Sequence, residues 1–123
     1  MAKVKVTSCE DMEVHPRGWG RELWIENSDK YCGKLLELKQ GKRSSLHYHM
    51  NKTETMFLSS GHVVLRMIDP ENGKEYDVTL LPGDKILLEP GQVHQICAME
   101  DSDLFEFSTF HEDSDSWRVE KGD

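Results

Sequence analysis

The stretch that decides the fold reads Gly41-Lys-Arg-Ser-Ser-Leu-His47-Tyr-His49-Met-Asn-Lys-Thr-Glu54-Thr-Met-Phe-Leu-Ser-Ser-Gly61. Side chains alternate between the two faces of a strand, so His47 and His49 are predicted to point the same way. A short turn at 50–53 is expected to bring Glu54 back on the neighbouring strand. A further histidine, His94, follows glycine- and proline-marked turns. Three imidazoles and one carboxylate suit a divalent Zn, Fe, Mn, Co or Ni ion and leave one or two positions open for water or substrate.

This spacing resembles the first sequence motif of the cupin superfamily, G-x5-H-x-H-x3,4-E-x6-G, and it matches at every fixed position. The second cupin motif, G-x5-P-x-G-x2-H-x3-N, is met by Gly83, Gly91 and His94. Two positions depart from it, because Glu89 replaces the proline and Ala98 replaces the asparagine. In cupins the two histidines, the glutamate and the later histidine bind the metal. The resemblance therefore implies one divalent metal ion per chain, held by His47, His49, Glu54 and His94.

The rest of the chain shows period-two patterns and turn residues, and no convincing amphipathic helix. The predicted strands are 23–25, 34–39, 62–68, 76–81, 85–88 and 104–110, with another strand that begins at His94. A hairpin turn is predicted at 69–73, because Asn-Gly supplies the positive φ angles that such turns need. This pattern indicates an all-β sandwich or barrel. The cupin resemblance narrows it to a double-stranded β-helix (jelly-roll) cupin barrel, one domain over 1–123, with motifs at 41–61 and 83–98.

Composition limits the classes of partner. The chain has 123 residues and a formal net charge of −8, which fits one domain and argues against nucleic acid or an anionic membrane as partner. It contains no apolar run of membrane-spanning length, and its first six residues lack the apolar stretch of a signal peptide. Cys9, Cys32 and Cys97 are odd in number and lack zinc-finger spacing. Free thiols and a cytoplasmic location are therefore expected.

Four flanking segments add a finer resemblance. They are Arg17-Gly18-Trp19-Gly20, Tyr31-Cys32-Gly33-Lys34, Gly41 to His49, and Glu112-Asp113 to Arg118. Their order resembles the cupin domain of the bifunctional mannose-6-phosphate isomerases/mannose-1-phosphate guanylyltransferases, over about residues 16 to 120. The chain departs from that family in having His47 where glutamine is usual, and in containing no nucleotidyltransferase domain. The resemblance implies a small-molecule substrate, a sugar or sugar phosphate.

Sugar isomerisation or epimerisation moves a proton beside a carbonyl, so it needs a base as well as a Lewis-acidic metal. The candidate catalytic residues are Glu37, Glu106 and His111, and the sequence does not decide among them. A phosphate would need fixed cations. The candidate substrate-binding residues, which match positions where the isomerase family keeps basic residues, are Lys34, Arg43 and Arg118.

Two alternatives to a metal-dependent sugar isomerase or epimerase stay open. The ligand set also resembles that of mononuclear non-haem iron dioxygenases, in which open metal positions bind O₂ and substrate. The second alternative is a non-catalytic cupin that binds metal and sugar. A catalytic barrel should place a titratable side chain that is not a ligand within reach of the metal, and a binding module need not. By analogy with other single-domain cupins a homodimer is expected, with the segment before Leu23 able to supply an exchanged strand.

Overall fold

Two antiparallel β-sheets face each other in the computed structural model, which describes residues 3–123. The strands, in chain order, are β1 (Glu13–Arg17), β2 (Gly20–Asn27), β3 (Cys32–Leu38), β4 (Leu46–Tyr48), β5 (Glu54–Ser60), β6 (Val63–Ile68), β7 (Glu75–Leu80), β8 (Lys85–Leu88), β9 (His94–Ala98), β10 (Ser102–Ser108) and β11 (Trp117–Glu120). Short 3₁₀ helices occupy Cys9–Asp11 and Asp113–Asp115. Within residues 3–123, no helix is long and apolar enough to cross a membrane.

The strand order confirms the predicted all-β jelly roll. One sheet has six strands in the order β1-β2-β3-β10-β5-β8, and the other has five in the order β11-β4-β9-β6-β7. Each predicted strand overlaps an observed one, and the predicted turn at 69–73 joins β6 to β7. In that turn Gly73 has a φ of 70° and donates its N–H to the Asp69 carbonyl at 2.8 Å. The Asn-Gly pair therefore lies in the hairpin turn that the sequence predicts.

The apolar core lies between the sheets and follows the period-two patterns. Alternate residues of β5 and β6 point inwards, so that Leu58, Val63 and Leu65 are fully buried. Leu104 of β10 is equally buried beside them. This packing fills one part of the barrel and leaves the other part to polar side chains.

One predicted neighbour relation is wrong. β4 pairs with β9 and β11, whereas β5 pairs with β10 and β8. Residues 49–53 therefore carry the chain from the five-stranded sheet to the six-stranded one, and Glu54 faces the histidines from the opposite sheet. His47 and His94 are direct neighbours, because the register pairs them across β4 and β9.

The N-terminal segment contributes one strand, β1, to the six-stranded sheet of its own chain, where it pairs with β2 in a hairpin. Val4 and Val6, which precede that strand, are 98% exposed. Residues 1 and 2, where the expected exchanged strand would begin, lie outside the described residues. The exchange stays a prediction.

Gly61, the last glycine of the first motif, offers a test of the packing. It has a φ of 94°, and an added Cβ would come within 2.5 Å of the Asp101 carbonyl oxygen. Gly73 also has a positive φ, but open space surrounds its Cβ position. We expect Gly61→Ala to lower the free energy of unfolding by roughly 3 kcal/mol and Gly73→Ala by about 1 kcal/mol. Urea denaturation measures both, and equal losses would contradict the clash.

Candidate metal centre

Three histidine rings converge inside the barrel. His47 lies on β4, His49 follows that strand, and His94 begins β9. One ring nitrogen from each can be chosen so that all three lie within 4.8 Å of one another. Nitrogen ligands that share an ion at about 2.1 Å lie roughly 3 to 4 Å apart. The three imidazoles can therefore hold one metal ion after a shift of about 1 Å.

Main-chain carbonyls determine which nitrogen of each ring is free. The Nδ1 atoms of His47, His49 and His94 lie 2.9, 3.0 and 3.0 Å from the carbonyl oxygens of Ser45, Asp115 and Gln92, respectively. A carbonyl oxygen only accepts hydrogen bonds, so each Nδ1 carries the proton and donates it. In the neutral form of each ring this leaves Nε2 unprotonated, the form that binds metal ions. Burial would lower the pKa of His94, but the Glu54 carboxylate beside it raises the pKa of that ring overall, so a metal would have to displace a proton there.

Glu54 reaches the same place from β5. Its Oε1 lies 3.2 Å from Nε2 of His94. Within residues 3–123, both oxygens of Glu54 and Nε2 of His94 are buried without a hydrogen-bond partner. Buried polar atoms normally have one. The Lys52 ammonium lies 3.2 Å from Oε2 of Glu54, whereas Oε1 and Nε2 of His94 face each other with no other partner among the described residues. A nitrogen and a carboxylate oxygen in this arrangement are both suitable ligands, so the donor set fits a divalent ion.

The pKa values of two rings suit metal binding at neutral pH. Burial and the nearby His94 ring lower the pKa of His47 to about 3. Burial and the Lys52 ammonium also lower the pKa of His49. Protons therefore do not compete with a metal for these two nitrogens at pH 7.

The loop after His49 is held by Asp115. Its carboxylate accepts hydrogen bonds from the backbone N–H groups of Met50 and Asn51 at 2.9 and 3.0 Å, and its carbonyl receives His49 Nδ1–H. Burial alone would raise the pKa of Asp115, but these N–H groups outweigh it and lower the pKa. One residue of the C-terminal segment thus sets both the orientation of a histidine and the path of the crossing between the sheets.

A buried lysine connects the histidine cluster to a second set of polar groups. Lys52 Nζ lies 3.2 Å from Oε2 of Glu54 and 3.0 Å from Oε2 of Glu106. It also donates to Nδ1 of His111 at 3.0 Å, so Nε2 of His111 carries a proton and donates to Asp113 at 2.9 Å. Burial would lower the pKa of Lys52, but the two carboxylates raise it overall. The lysine therefore stays charged although it is buried.

A cavity of about 550 Å³ joins these groups to solvent. Leu36, Met56 and Ile96 form apolar parts of its wall. Its lining also includes five cationic residues (Arg17, Lys34, Lys52, Arg118 and Lys121) and five anionic ones (Glu22, Glu54, Glu106, Asp113 and Asp123). The lining is thus formally neutral in a chain of net charge −8. A bound divalent cation would make it positive.

The sequence places this architecture in a known family. The family model described as "Cupin" matches residues 34–119, more than half of the chain. The chain is a cupin. Its histidine cluster stands where the two cupin motifs predict a metal centre. No curated protein sequence matches the chain.

Solved structures resemble this cupin in fold. A variant of the Bacillus subtilis oxalate decarboxylase in which one tryptophan is replaced by tyrosine has a TM-score of 0.81 at 18% identity. The match covers 97% of this chain and 34% of that one. The formate complex of the Lactobacillus farciminis oxalate decarboxylase has a TM-score of 0.77 at 21% identity, over 97% and 38%. CapF with the inhibitor 3-isopropenyl-tropolone has a TM-score of 0.76 at 16% identity, over 89% and 34%.

This cupin therefore spans about a third of the length of those proteins. At such low identities the likeness shows the fold alone. None of the three is described as a mannose-6-phosphate isomerase, so the finer family resemblance gains no support from them.

Most of the predicted site residues meet in the cavity. His47, His49 and Glu54 line it together with the candidate residues Glu106, His111, Lys34 and Arg118, and His94 is in contact with Glu54. Lys34 is buried, with Nζ 3.3 Å from Oε1 of Glu22 and 4.2 Å from the ring centre of Trp24. Arg118 on β11 is paired in register with His47 on β4. It reaches the cavity from beside a histidine of the cluster.

Two predicted residues lie outside the cavity. Glu37 lies on β3 with its side chain on the outer face of the sheet. It accepts two hydrogen bonds from Arg21, at 3.0 and 3.1 Å. Arg43 is exposed and lines a separate shallow depression beside Cys97. Neither side chain is positioned to act on a molecule bound at the histidines.

Sequence reasoning missed Lys52 and Glu22. A signal for Lys52 was available, because it precedes Glu54 by two residues and an extended chain turns both to one face. Glu22 had a similar signal, since it alternates with Trp24 on β2, and both contact Lys34. Charged side chains are usually exposed, so neither Lys52 nor Glu22 was predicted to be buried. The residues of opposite charge that neutralise them come from other strands and are seen only in the structure.

Replacement of His49 tests the metal centre. We expect His49→Ala to weaken metal binding by about 100-fold or more, because it removes a ring that the backbone orients. His62→Ala is the matched control, since His62 lies at the turn before β6 and outside the cavity lining. Elemental analysis of untagged protein, followed by titration of the apoprotein, measures occupancy and affinity. Full occupancy in His49→Ala would exclude this ring as a ligand.

Proposed function

We propose that this cupin is a metal-dependent isomerase or epimerase of a sugar or sugar phosphate, with His47, His49, His94 and Glu54 as the metal ligands. The observation that carries the proposal is a buried carboxylate, Glu106, that lines the same cavity without belonging to the ligand set. A base in this position is what separates a catalytic barrel from a barrel that only binds.

Glu106 suits the role of base better than the other candidates. Its two side-chain hydrogen bonds, from Lys52 at 3.0 Å and from Ser108 at 3.3 Å, both go to Oε2, which leaves Oε1 for a substrate proton. Both ring nitrogens of His111 are engaged, by Lys52 and Asp113. Glu37 faces the other side of its sheet. We therefore assign proton transfer to Glu106 and a supporting role to His111.

The proposed chemistry needs no oxidant or reductant. Glu106 takes a proton from the carbon beside the substrate carbonyl. In an epimerisation a proton returns to the same carbon, and in an isomerisation the neighbouring hydroxyl proton moves to the former carbonyl oxygen and Glu106 returns its proton to the former carbonyl carbon. A divalent ion bound by the histidines would supply Lewis acidity to the carbonyl oxygen. Lys52 holds the Glu106 carboxylate in place through their 3.0 Å contact. Leu36 and Met56 make part of the wall of this cavity apolar.

The charges of the cavity support an anionic substrate. Its lining is formally neutral without a metal, so a bound divalent ion would favour a ligand with about two negative charges, such as a phosphate monoester. Arg118 and Lys34 are the predicted contacts for that group. Arg118 is the more available, because Lys34 is already paired with Glu22.

The replacement Glu106→Gln tests proton transfer directly. We expect the variant to keep its metal and to lose about 100-fold or more of the catalysed exchange between substrate carbon-bound hydrogen and D₂O. Proton NMR measures this exchange with a panel of aldose and ketose phosphates. Glu37→Gln is the matched control, since it makes the same change on the outer face of β3 and should retain the wild-type rate.

The same panel separates the alternatives. Substrate-dependent oxygen uptake by the iron-loaded protein, without deuterium incorporation, would replace the proposal with a dioxygenase. Tight sugar binding without exchange or oxygen uptake would indicate a binding cupin.

Arg118→Ala tests the phosphate contact. We expect weaker binding of a phosphorylated sugar, by about tenfold or more, because a charge-assisted hydrogen bond is lost. Metal content and thermal stability should not change. Arg43→Ala is the matched control, because Arg43 was predicted for the same role but lies outside the cavity. Isothermal titration calorimetry compares the two, and unchanged affinity in Arg118→Ala would exclude the contact.

A further inference from the structure

Two of the cationic side chains that line the cavity have no counter-ion. Three of the five, Arg17, Lys34 and Lys52, form ion pairs with carboxylates. Within residues 3–123, no salt bridge joins Arg118 or Lys121 to a carboxylate. Both come from β11 and the residue that follows it. The positive charge that is not neutralised within the cavity lining is therefore concentrated on one side.

A β-bulge in β11 determines which side chains of this segment face the cavity. Arg118 is paired in register with His47 of β4. The residue before His47, Leu46, is paired with Glu120, so that Val119 is an extra residue in β11. Bulges of this kind change the direction of the side chains that follow and are frequent next to functional sites.

The bulge exchanges an acidic side chain for a basic one in the cavity. Side chains alternate along a regular strand, so Glu120 would share the face of Arg118, and Lys121 would lie on the opposite face. In the structure Glu120 instead forms an ion pair with Arg66 at 3.0 Å, on the outer side of the sheet. Lys121 lines the cavity together with Arg118. One extra residue thus removes a carboxylate from the cavity and adds an ammonium group.

The main chain after the bulge is held against the segment that precedes β4. The N–H of Asp123 donates to the carbonyl of Arg43 at 2.9 Å, and the Asp123 carboxylate accepts the N–H of Arg43 at 2.9 Å. A Cβ added at Gly122 would overlap the carbonyl group of Ser44, so the two main chains are in direct contact. Lys121 therefore projects from a fixed backbone.

We propose that Arg118 and Lys121 together form an anion-binding subsite for a phosphate group of the substrate, with Lys121 as a residue that determines specificity. Two cations without a counter-ion match the charge of a phosphate monoester, which is close to −2 at neutral pH. Arginine offers paired N–H donors and lysine a point charge, and both suit phosphate oxygens. The inference rests on the proposed function for the molecule that carries the phosphate.

The position of the subsite fits the other parts of the cavity. Because Arg118 and His47 are cross-strand neighbours, the phosphate would lie on the five-stranded sheet beside the candidate metal centre. Glu106 belongs to β10 of the opposite sheet and lines the same cavity. A phosphate bound at β11 leaves the rest of the molecule between the two sheets, in the space that Glu106 borders.

Calorimetric titration of the metal-loaded protein with inorganic phosphate tests the subsite without a substrate. We expect Lys121→Gln to raise the dissociation constant for phosphate by about tenfold, because a charge-assisted contact is lost. Lys74→Gln is the matched control, since Lys74 is exposed and outside the cavity lining. It should bind phosphate as wild type does. A wild type that does not bind phosphate would overturn the proposal, and so would Lys121→Gln with wild-type affinity.

An exchange of two charges tests the role of the bulge. Glu120→Lys/Lys121→Glu keeps the composition but puts a carboxylate beside Arg118, so we expect phosphate to bind about 100-fold more weakly or worse. Glu120→Gln controls for the lost ion pair with Arg66 and should keep the wild-type affinity. Circular dichroism and metal content verify the fold of each variant. Wild-type affinity in the exchanged variant would contradict the proposal.

The outcomes separate this inference from the proposed function. With a phosphorylated substrate, Lys121→Gln should raise KM by about tenfold and leave kcat nearly unchanged, because the lost contact is made before and during the reaction. Phosphate binding that depends on Lys121, without any hydrogen exchange with D₂O, would support the subsite and contradict the isomerase. Catalysed exchange with the same KM in wild type and Lys121→Gln would contradict the subsite and support the isomerase.

Discussion

The metal centre depends on a single kind of interaction, the hydrogen bond from a histidine Nδ1–H to a main-chain carbonyl. It occurs three times, with Ser45, Gln92 and Asp115 as the acceptors. In each case it selects the tautomer and turns Nε2 towards the same point. Two of the acceptors precede their histidine by two residues, so they are set by the local chain. The third comes from the C-terminal segment, so the site is complete only when residues far apart in sequence have come together.

The second constraint is that the candidate ligands come from opposite sheets. The histidines belong to the five-stranded sheet and the crossing that leaves it, whereas Glu54 begins a strand of the six-stranded sheet. A metal ion bound here would tie the two sheets together. The cost of burying Glu54, Lys52 and Glu106 is met in part by their mutual contacts, but buried ion pairs contribute little net stability. These charges are therefore better explained by the chemistry of the cavity than by the stability of the barrel.

The fold and the clustering of His47, His49 and His94 could be predicted from the sequence, because both rest on local signals. The spacing of His47, His49 and Glu54 and the turn at Gly73 are short-range patterns with a direct geometric meaning. The sheet in which Glu54 lies was not predictable, since a jelly roll pairs strands that are distant in sequence. Two other candidate residues, Glu37 and Arg43, have suitable chemistry, but their side chains lie outside the cavity. For Glu37 the alternation with Leu36 and Leu38 was a signal of the outer face, whereas Arg43 lies outside the strands and had no such signal.

The use of backbone acceptors has a consequence for how this site can change over evolution. Any amino acid at positions 45 and 92 supplies the same carbonyl oxygen, so the contact of each ring with the main chain does not depend on which side chain stands there. Substitutions at these two positions would carry no trace of the anchoring role. A comparison of related sequences would find the histidines and overlook what holds them, and only the path of the main chain preserves that information.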